Sequence, residues 1–241
     1  MWFDRGVSLF MKVIHIAGWS GSGKTTFILK LCSHLVHRGR TATIKHIGSH
    51  YCALPLGKDT TLHFEAGADP AVGIDDEKTS AVFHGICLDD ALNLLSDSGV
   101  RYAVLEGFKG MPFQKVHIGI LDGPYLLKNP EVSEVLSVLD QFDDWYTPSG
   151  LMKELTDEYP GCHIFSWAGY VTDYQKTKDL CSRIEDEYGD DPLIAGIRAR
   201  VHRWSDDGRY PVYLLMAMNN PFADAAIFFR AIQKIEVCTL S

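Results

Sequence analysis

The sequence predicts an α/β fold, a mostly parallel sheet flanked by helices, followed by a small α+β domain. Apolar strand-like runs alternate with helix-periodic segments in the first part of the chain, as expected for a parallel sheet with helical crossovers. After a polar, turn-rich stretch at residues 143–150, paired strand-like runs and two helical segments replace that alternation. We therefore predict one domain over residues 11–150 and a second over 151–241. Residues 1–10 are expected to be an N-terminal extension or a misassigned start.

The first strand–turn–helix–strand unit lies in residues 12–46. Residues 12–17 form a β-branched run, residues 18–23 are a glycine-rich turn, and residues 24–39 place apolar side chains at helical spacing. Residues 40–46 have the pattern of the next strand. This order predicts two parallel strands joined by a crossover helix.

The remaining elements follow from the same patterns. In the first domain we expect a helical turn at 60–66, strands at 71–74, 80–85, 101–108 and 115–121, and a helix at 88–99. In the second domain we expect strands at 162–171, 197–204 and 210–218, with helices at 173–188 and 221–235. Asp206-Asp207-Gly208 is typical of a hairpin turn between the last two strands.

Composition limits the class of protein. The 241 residues carry 31 acidic and 23 basic side chains, a formal charge of −8, with no basic stripe, so a nucleic-acid partner is not expected. Six cysteines without a C-x-x-C pair indicate reduced thiols rather than a disulfide framework or zinc site. No apolar run approaches the roughly 20 residues that span a bilayer. We expect a cytoplasmic protein without a membrane partner.

The glycine-rich turn satisfies the pattern G-x-x-x-x-G-K-[ST], which is typical of a P-loop NTPase. Glycines allow successive backbone N–H groups to point at a phosphate, and the following helix N-terminus adds partial positive charge. The lysine is expected to reach the terminal phosphates, a candidate catalytic role, and the first threonine to bind Mg²⁺. The predicted nucleotide-binding residues of this turn are Gly18, Ser20, Gly21, Ser22, Gly23, Lys24, Thr25 and Thr26.

A P-loop site also needs an acidic group for Mg²⁺ or for the attacking water. Glu106 ends a predicted buried strand and is the candidate catalytic and metal-binding carboxylate, with a solvent-facing carboxylate as the alternative. Lys58 and Asp59 lie in an irregular loop, where they either contact the nucleotide or begin a helix. His46, His50 and His63 fit no metal-binding spacing.

The residues alone leave the nucleotide and the activity open. No N-K-x-D motif is present to select GTP over ATP. A kinase that phosphorylates a small metabolite is an alternative to a nucleotide-binding accessory protein. Between Ser96 and Lys128 the basic residues are few and scattered, unlike the arginine-rich lid of such a kinase (Arg101, Lys109, Lys115 and Lys128).

Several motifs together resemble the molybdopterin-guanine dinucleotide biosynthesis protein B (MobB) family. They are GWSGSGKTTF at 18–27, IKH at 44–46 followed by His50, GKDTTLHFEAGA at 57–68 and VLEGFKG at 104–110, with Lys115 before a strand. The resemblance covers about residues 11–150. It implies a dimeric protein that binds GTP with Mg²⁺, hydrolyses it slowly and assists molybdopterin guanylyltransferase in attaching GMP to molybdopterin. It also places Lys58 and Asp59 in the nucleotide site and Glu106 near Mg²⁺.

The second domain resembles part of the large, catalytic subunit of molybdopterin synthase (MoaE). The resemblance rests on VHRW at 201–204 and ADAAIFFRAIQKI at 223–235, and it places Lys234 where that family has a catalytic lysine. Thr172 stands where an arginine is expected, and the sequence ends at Ser241, before the second lysine of that family. We expect a decayed synthase module retained for dimerisation or partner docking. The alternative is an active fusion that would also bind the small synthase subunit.

Overall fold

A computed structural model describes residues 10–48, 54–203 and 208–239 of the chain. The strands are β1 (Met11–Ala17), β2 (Thr41–Lys45), β3 (Ala71–Ile74), β4 (Thr79–Val82), β5 (Tyr102–Glu106), β6 (Lys115–His117), β7 (Leu127–Lys128), β8 (Asp143–Trp145), β9 (His163–Val171), β10 (Ile194–Val201) and β11 (Tyr210–Met218). The helices are α1 (Lys24–Leu35), α2 (Asp59–Glu65), α3 (Leu88–Asp97), α4 (Val132–Ser137), α5 (Pro148–Glu158), α6 (Tyr174–Gly189) and α7 (Pro221–Thr239).

The predicted α/β class is confirmed. The main sheet has the order β2-β5-β1-β6-β7, in which all neighbouring strands are parallel, and β8 pairs antiparallel with β1. A second, antiparallel sheet has the order β10-β11-β9. Strands β3 and β4 form a separate hairpin. All the strands and helices predicted from the sequence are present, with bounds that differ by a few residues at their ends.

Strand β1 is the centre of the main sheet and is covered on both faces. Ile14 and Ile16 face α1 and α4, and together with apolar side chains of those helices they form one buried cluster. Met11 and Val13 face the other side, where they pack with side chains of α3 and β5. Because β1 is buried on both faces, it is an almost continuous apolar run rather than an alternating one.

Four elements of the first part were not predicted: β7, β8, α4 and α5. Strand β8 lies in the stretch that was interpreted as a polar turn, and it pairs Met11 with Trp145 and Val13 with Asp143. The polar side chains of β8 find partners elsewhere in the fold. Asp144 forms a 2.8 Å ion pair with Lys12, and the Trp145 indole donates to Asn93 Oδ1 at 2.9 Å.

The second sheet is also covered on both faces. Leu214 and Met216 on β11 point into a cluster built by α6 and α7, whereas Leu215 and Ala217 point towards α5. This alternation follows the two-residue period of a strand. The hairpin between β10 and β11 is confirmed by their antiparallel register, although Asp206 and Asp207 lie outside the described residues.

Helix α5 follows β8 of the main sheet and precedes β9 of the second sheet along the chain. The side chain of Thr147 caps its start by accepting from Gly150 N at 3.0 Å, and the same hydroxyl donates to Asp97 on α3. The predicted boundary between residues 150 and 151 falls inside this helix, and the division into domains stays a prediction. Within the described ranges, no helix is both long and apolar enough to cross a bilayer.

Candidate functional site

The candidate site lies where parallel strands of the main sheet end. Strands β1, β2, β5 and β6 run in the same direction, and their registers place Ile16, Lys45 and Glu106 side by side. Ligands of open α/β sheets bind outside the carboxyl ends of the strands, because the loops there converge. The P-loop sequence begins directly after β1 at this edge.

The backbone of the P-loop requires its glycines. Gly21 and Gly23 have φ angles of 76° and 90°, in the left-handed region that L-residues with a side chain rarely adopt. Gly18 lies against Ile118, the residue that follows β6, and a Cβ on Gly18 would collide with the Ile118 carbonyl oxygen. A residue with a side chain at any of these three positions would strain the turn or collide with its neighbours.

The polar groups of the loop are arranged to receive a ligand. Lys24 Nζ donates to the Trp19 carbonyl at 2.6 Å, so the lysine is folded back on its own loop. Ser22 Oγ is buried and has no hydrogen-bond partner among the described residues. A buried, unsatisfied hydroxyl is costly and points to an additional partner. The Trp19 ring, 60% exposed, is covered by Lys109 Nζ at 3.4 Å from its centroid.

Thr25 and Glu106 meet at the first turn of α1. Thr25 Oγ1 donates to Glu106 Oε1 at 3.2 Å, and the Glu106 side chain is only 15% exposed. Two adjacent oxygen ligands of an octahedral Mg²⁺ are about 3.0 Å apart when each metal–oxygen bond is about 2.1 Å. Hard oxygen donors at this separation fit Mg²⁺, so both predicted metal ligands are brought together. The same carboxylate oxygen lies 3.3 Å from Lys45 Nζ.

Lys45 was not assigned a role from the sequence, although it lies in the IKH motif. The signal was available: a lysine at the end of β2 must stand beside Glu106 at the end of β5, because the two strands are parallel neighbours. The backbone reinforces this pairing, since His46 N donates to the Glu106 carbonyl at 2.9 Å.

The turn after Glu106 is held by two histidines. His15 Nε2 donates to the Gly107 carbonyl at 2.7 Å, and the His46 ring packs on Phe108 at 5.0 Å. Burial lowers the pKa of His15 to about 4, despite the opposing effect of its hydrogen bond to Gly107. His15 is therefore uncharged at neutral pH. Its hydrogen bond holds the Gly107 carbonyl in place, directly after Glu106.

Among the residues that the structure describes, the other predicted residues of the site make no hydrogen bond to the side chains of Thr25 or Glu106. Ser20 and Thr26 are exposed on the P-loop and α1. Lys58 precedes α2 and Asp59 begins it, which agrees with the helix-start interpretation, and both are exposed. Within the described part of the chain, neither side chain makes a hydrogen bond or ion pair with the P-loop or with Glu106.

Of the histidines considered for metal binding, His46 and His63 lie within the described residues. No cluster of three or more potential metal ligands occurs in residues 10–48, 54–203 and 208–239. His50 lies outside these ranges.

Lys234 lies far from this edge, on α7. Its ammonium contacts both carboxylate oxygens of Glu187 at 2.5 Å, and this hydrogen bonding raises the pKa of Lys234. His202 is 4% exposed and its Nε2 donates to the Tyr146 carbonyl at 2.7 Å. Arg203 pairs with Asp143 at 3.4 Å. The His-Arg pair thus contacts the segment of β8 in the first sheet.

Solved structures of MobB proteins are similar to part of the chain. The crystal structure of Bacillus subtilis MobB matches 55% of this chain and 98% of its own length, with a TM-score of 0.45 and 21% identity. A MobB protein homolog from Bacillus stearothermophilus matches 61% of this chain and 99% of its own length, with a TM-score of 0.37 and 20% identity.

Two curated proteins are also similar in sequence. A protein of Methanocaldococcus jannaschii, provisionally named a molybdopterin-guanine dinucleotide biosynthesis adapter protein, is 34% identical over 99 residues, which are 41% of this chain. The match spans 42% of the length of that relative. The adapter protein of the same name from Haemophilus influenzae is 28% identical over 134 residues, 54% of this chain and 70% of the relative.

The comparison with protein families covers the P-loop, Lys45 and Glu106 together. The profile for molybdopterin guanine dinucleotide synthesis protein B matches residues 13–136, more than half of the chain. The chain therefore belongs to the molybdopterin guanine dinucleotide synthesis protein B family.

Proposed function

We propose that the chain binds Mg²⁺–GTP at its P-loop and acts as an adapter in the attachment of GMP to molybdopterin, hydrolysing the bound GTP slowly. The observation that carries the nucleotide site is the 3.2 Å contact between Thr25 Oγ1 and Glu106 Oε1, directly beside the glycine-rich turn. A hydroxyl and a carboxylate at this place are the metal-binding pair of a P-loop protein. Mg²⁺ held by them would neutralise phosphate charge.

The residues of the turn have separate tasks in this proposal. The backbone N–H groups from Gly21 to Thr25 surround the phosphates, helped by the positive end of α1. Lys24 leaves the Trp19 carbonyl and pairs with a terminal phosphate. The buried hydroxyl of Ser22 gains the hydrogen-bond partner that it lacks among the described residues.

Slow hydrolysis fits the surroundings of Glu106. Its oxygen Oε1 accepts from Thr25 Oγ1 and lies 3.3 Å from Lys45 Nζ. A carboxylate whose oxygen already has these two partners is placed to hold a cation rather than to accept a proton from water. We therefore assign the site mainly to holding the nucleotide. The adapter role follows from family membership and from the names of the relatives.

For the C-terminal region we propose a docking or dimerisation module, related to the large subunit of molybdopterin synthase but without its catalysis. The ion pair of Lys234 with Glu187 supports this, because a lysine whose pKa is raised is protonated and is not a nucleophile. Transfer of sulfur to precursor Z by the purified chain with a thiocarboxylated small subunit would overturn this part. Sedimentation of the purified chain tests the proposed homodimer.

The nucleotide proposal is tested by calorimetric titration with GTP and ATP, each with Mg²⁺, and by phosphate release. We expect selective binding of GTP and turnover below about 1 s⁻¹. Lys24→Ala should abolish binding, while Glu106→Ala should spare binding at saturating Mg²⁺ and remove hydrolysis. Lys30→Ala removes an exposed charge of α1 and serves as the control. Preference for ATP, or fast turnover when a small metabolite is added, would instead identify a kinase.

A further inference from the structure

One carboxylate oxygen of Glu106 contacts two other side chains. Oε1 lies 3.2 Å from Thr25 Oγ1 and 3.3 Å from Lys45 Nζ. If Thr25 and Glu106 hold Mg²⁺ together, as the proposed function requires, the metal would bind on the side of the carboxylate where Oε1 faces Thr25. The Lys45 ammonium therefore lies beside the position that Mg²⁺ would occupy. The positive charges of the ammonium and of Mg²⁺ would repel each other at such short range.

The backbone of Lys45 is fixed, but its ammonium is free to leave. Register and the hydrogen bond from His46 N to the Glu106 carbonyl hold the end of β2 beside β5. The Lys45 side chain is nevertheless 57% exposed, against 15% for Glu106. A four-carbon stem with an exposed end can turn into solvent at small cost, whereas the mostly buried carboxylate has to stay.

We propose that Lys45 competes with Mg²⁺ for Glu106 and so sets the metal requirement of nucleotide binding. Before the metal binds, the lysine holds the carboxylate beside Thr25. When Mg²⁺ enters with the nucleotide, the ammonium is displaced. Lys45 is thus a positioning residue that acts through Glu106, and the inference rests on the proposed Mg²⁺–nucleotide site.

The expected effect is modest, because the competing ion pair is partly exposed. Exposed pairs of this kind change an equilibrium by about two- to fivefold. Replacing Lys45 by methionine, which keeps the aliphatic length without the charge, should therefore lower the half-saturating Mg²⁺ concentration by about two- to fivefold. Lys45→Arg keeps a cation and should restore a Mg²⁺ requirement close to that of the wild type.

The experiment is an equilibrium titration of Mg²⁺ into the full chain with a fluorescent GTP analogue, read as bound nucleotide rather than as hydrolysis. Lys30→Met, which removes one exposed charge on α1, is the matched control and should leave the curve unchanged. In a Glu106→Gln background, Lys45→Met should have no further effect, since both changes act on one interaction.

The outcomes separate the inference from the function on which it rests. Nucleotide binding that responds to Mg²⁺ equally in wild type and Lys45→Met would refute the competition and leave the nucleotide site standing. A higher Mg²⁺ requirement in Lys45→Met would also refute it, because the lysine would then assist the metal or the phosphates. A wild-type chain that binds no nucleotide, with or without Mg²⁺, would overturn both.

Discussion

Acid should weaken this protein through His202, which lies in the contact between the two sheets. The side chain is 4% exposed, and its ring packs 4.6 Å from Trp145 and 5.5 Å from Tyr213. Burial lowers the pKa of His202 to about 4, against 6.5 in an unfolded chain. As pH falls below 6.5, the unfolded chain binds the proton first, so stability is lost between pH 6.5 and about 4.

The magnitude follows from that window. Each pH unit inside it costs 1.36 kcal/mol, so His202 should remove about 2 kcal/mol of unfolding free energy between pH 6.5 and 5. His202→Gln keeps a side-chain donor that can reach the Tyr146 carbonyl, but it cannot titrate. The variant should therefore lose about 2 kcal/mol less than the wild type on acidification.

The assay is urea unfolding followed by tryptophan fluorescence at pH 7.5 and pH 5. The difference between the two proteins isolates His202, because His15, whose pKa is also about 4, contributes equally to both. His34→Gln removes an exposed histidine of α1 and should retain the acid response of the wild type. Equal losses in wild type and His202→Gln would refute the reasoning.

Two further predictions concern a close contact in the P-loop and a partly buried ion pair. Gly18→Ala places a methyl group against the Ile118 carbonyl and 2.8 Å from Ser22 Oγ, so it should cost about 2 kcal/mol of unfolding free energy and abolish nucleotide binding. Gly189→Ala, where a Cβ meets nothing within 4 Å, is the control and should be neutral in both assays. The Arg198 side chain, 18% exposed, pairs with Glu154 at 2.8 Å and with Glu158 at 2.6 Å, both on α5. Arg198→Met should therefore lower the free energy of unfolding by about 2–3 kcal/mol, measured by thermal unfolding. Lys153→Met breaks an exposed pair on the same helix and should cost below about 0.5 kcal/mol; similar losses in the two would argue against a role for burial.

The arrangement of the candidate site was predictable because its main signals are local or follow from topology. Gly21 and Gly23 specify the turn through their own backbone freedom, without help from distant residues. Glu106 could be placed from one rule, that parallel strands end at a common edge. The same rule places Lys45, but a lone lysine in a strand carries no chemical pattern of its own.

The segment around β8 could not be predicted from local pattern. Asp143 and Asp144 resemble turn residues, and they are accommodated in a strand only because the fold supplies distant partners. Gln114 N donates to Asp143 at 2.6 Å, and Lys12 pairs with Asp144. Lys234 is a similar case, since its partner Glu187 lies on another helix and no local pattern in the sequence indicates that pair.

The position of β8 also decides which pieces of this chain can be produced alone. It covers the edge of β1 from Met11 to Val13, which no other described strand pairs on that side. A fragment that begins at Met11 but ends at residue 136, where the match to the family profile ends, would lack this cover. The open N–H and C=O groups of a hydrophobic strand would then be a template for aggregation. Strand β1 thus depends, for a covered edge, on residues that lie beyond the region matched by the family profile.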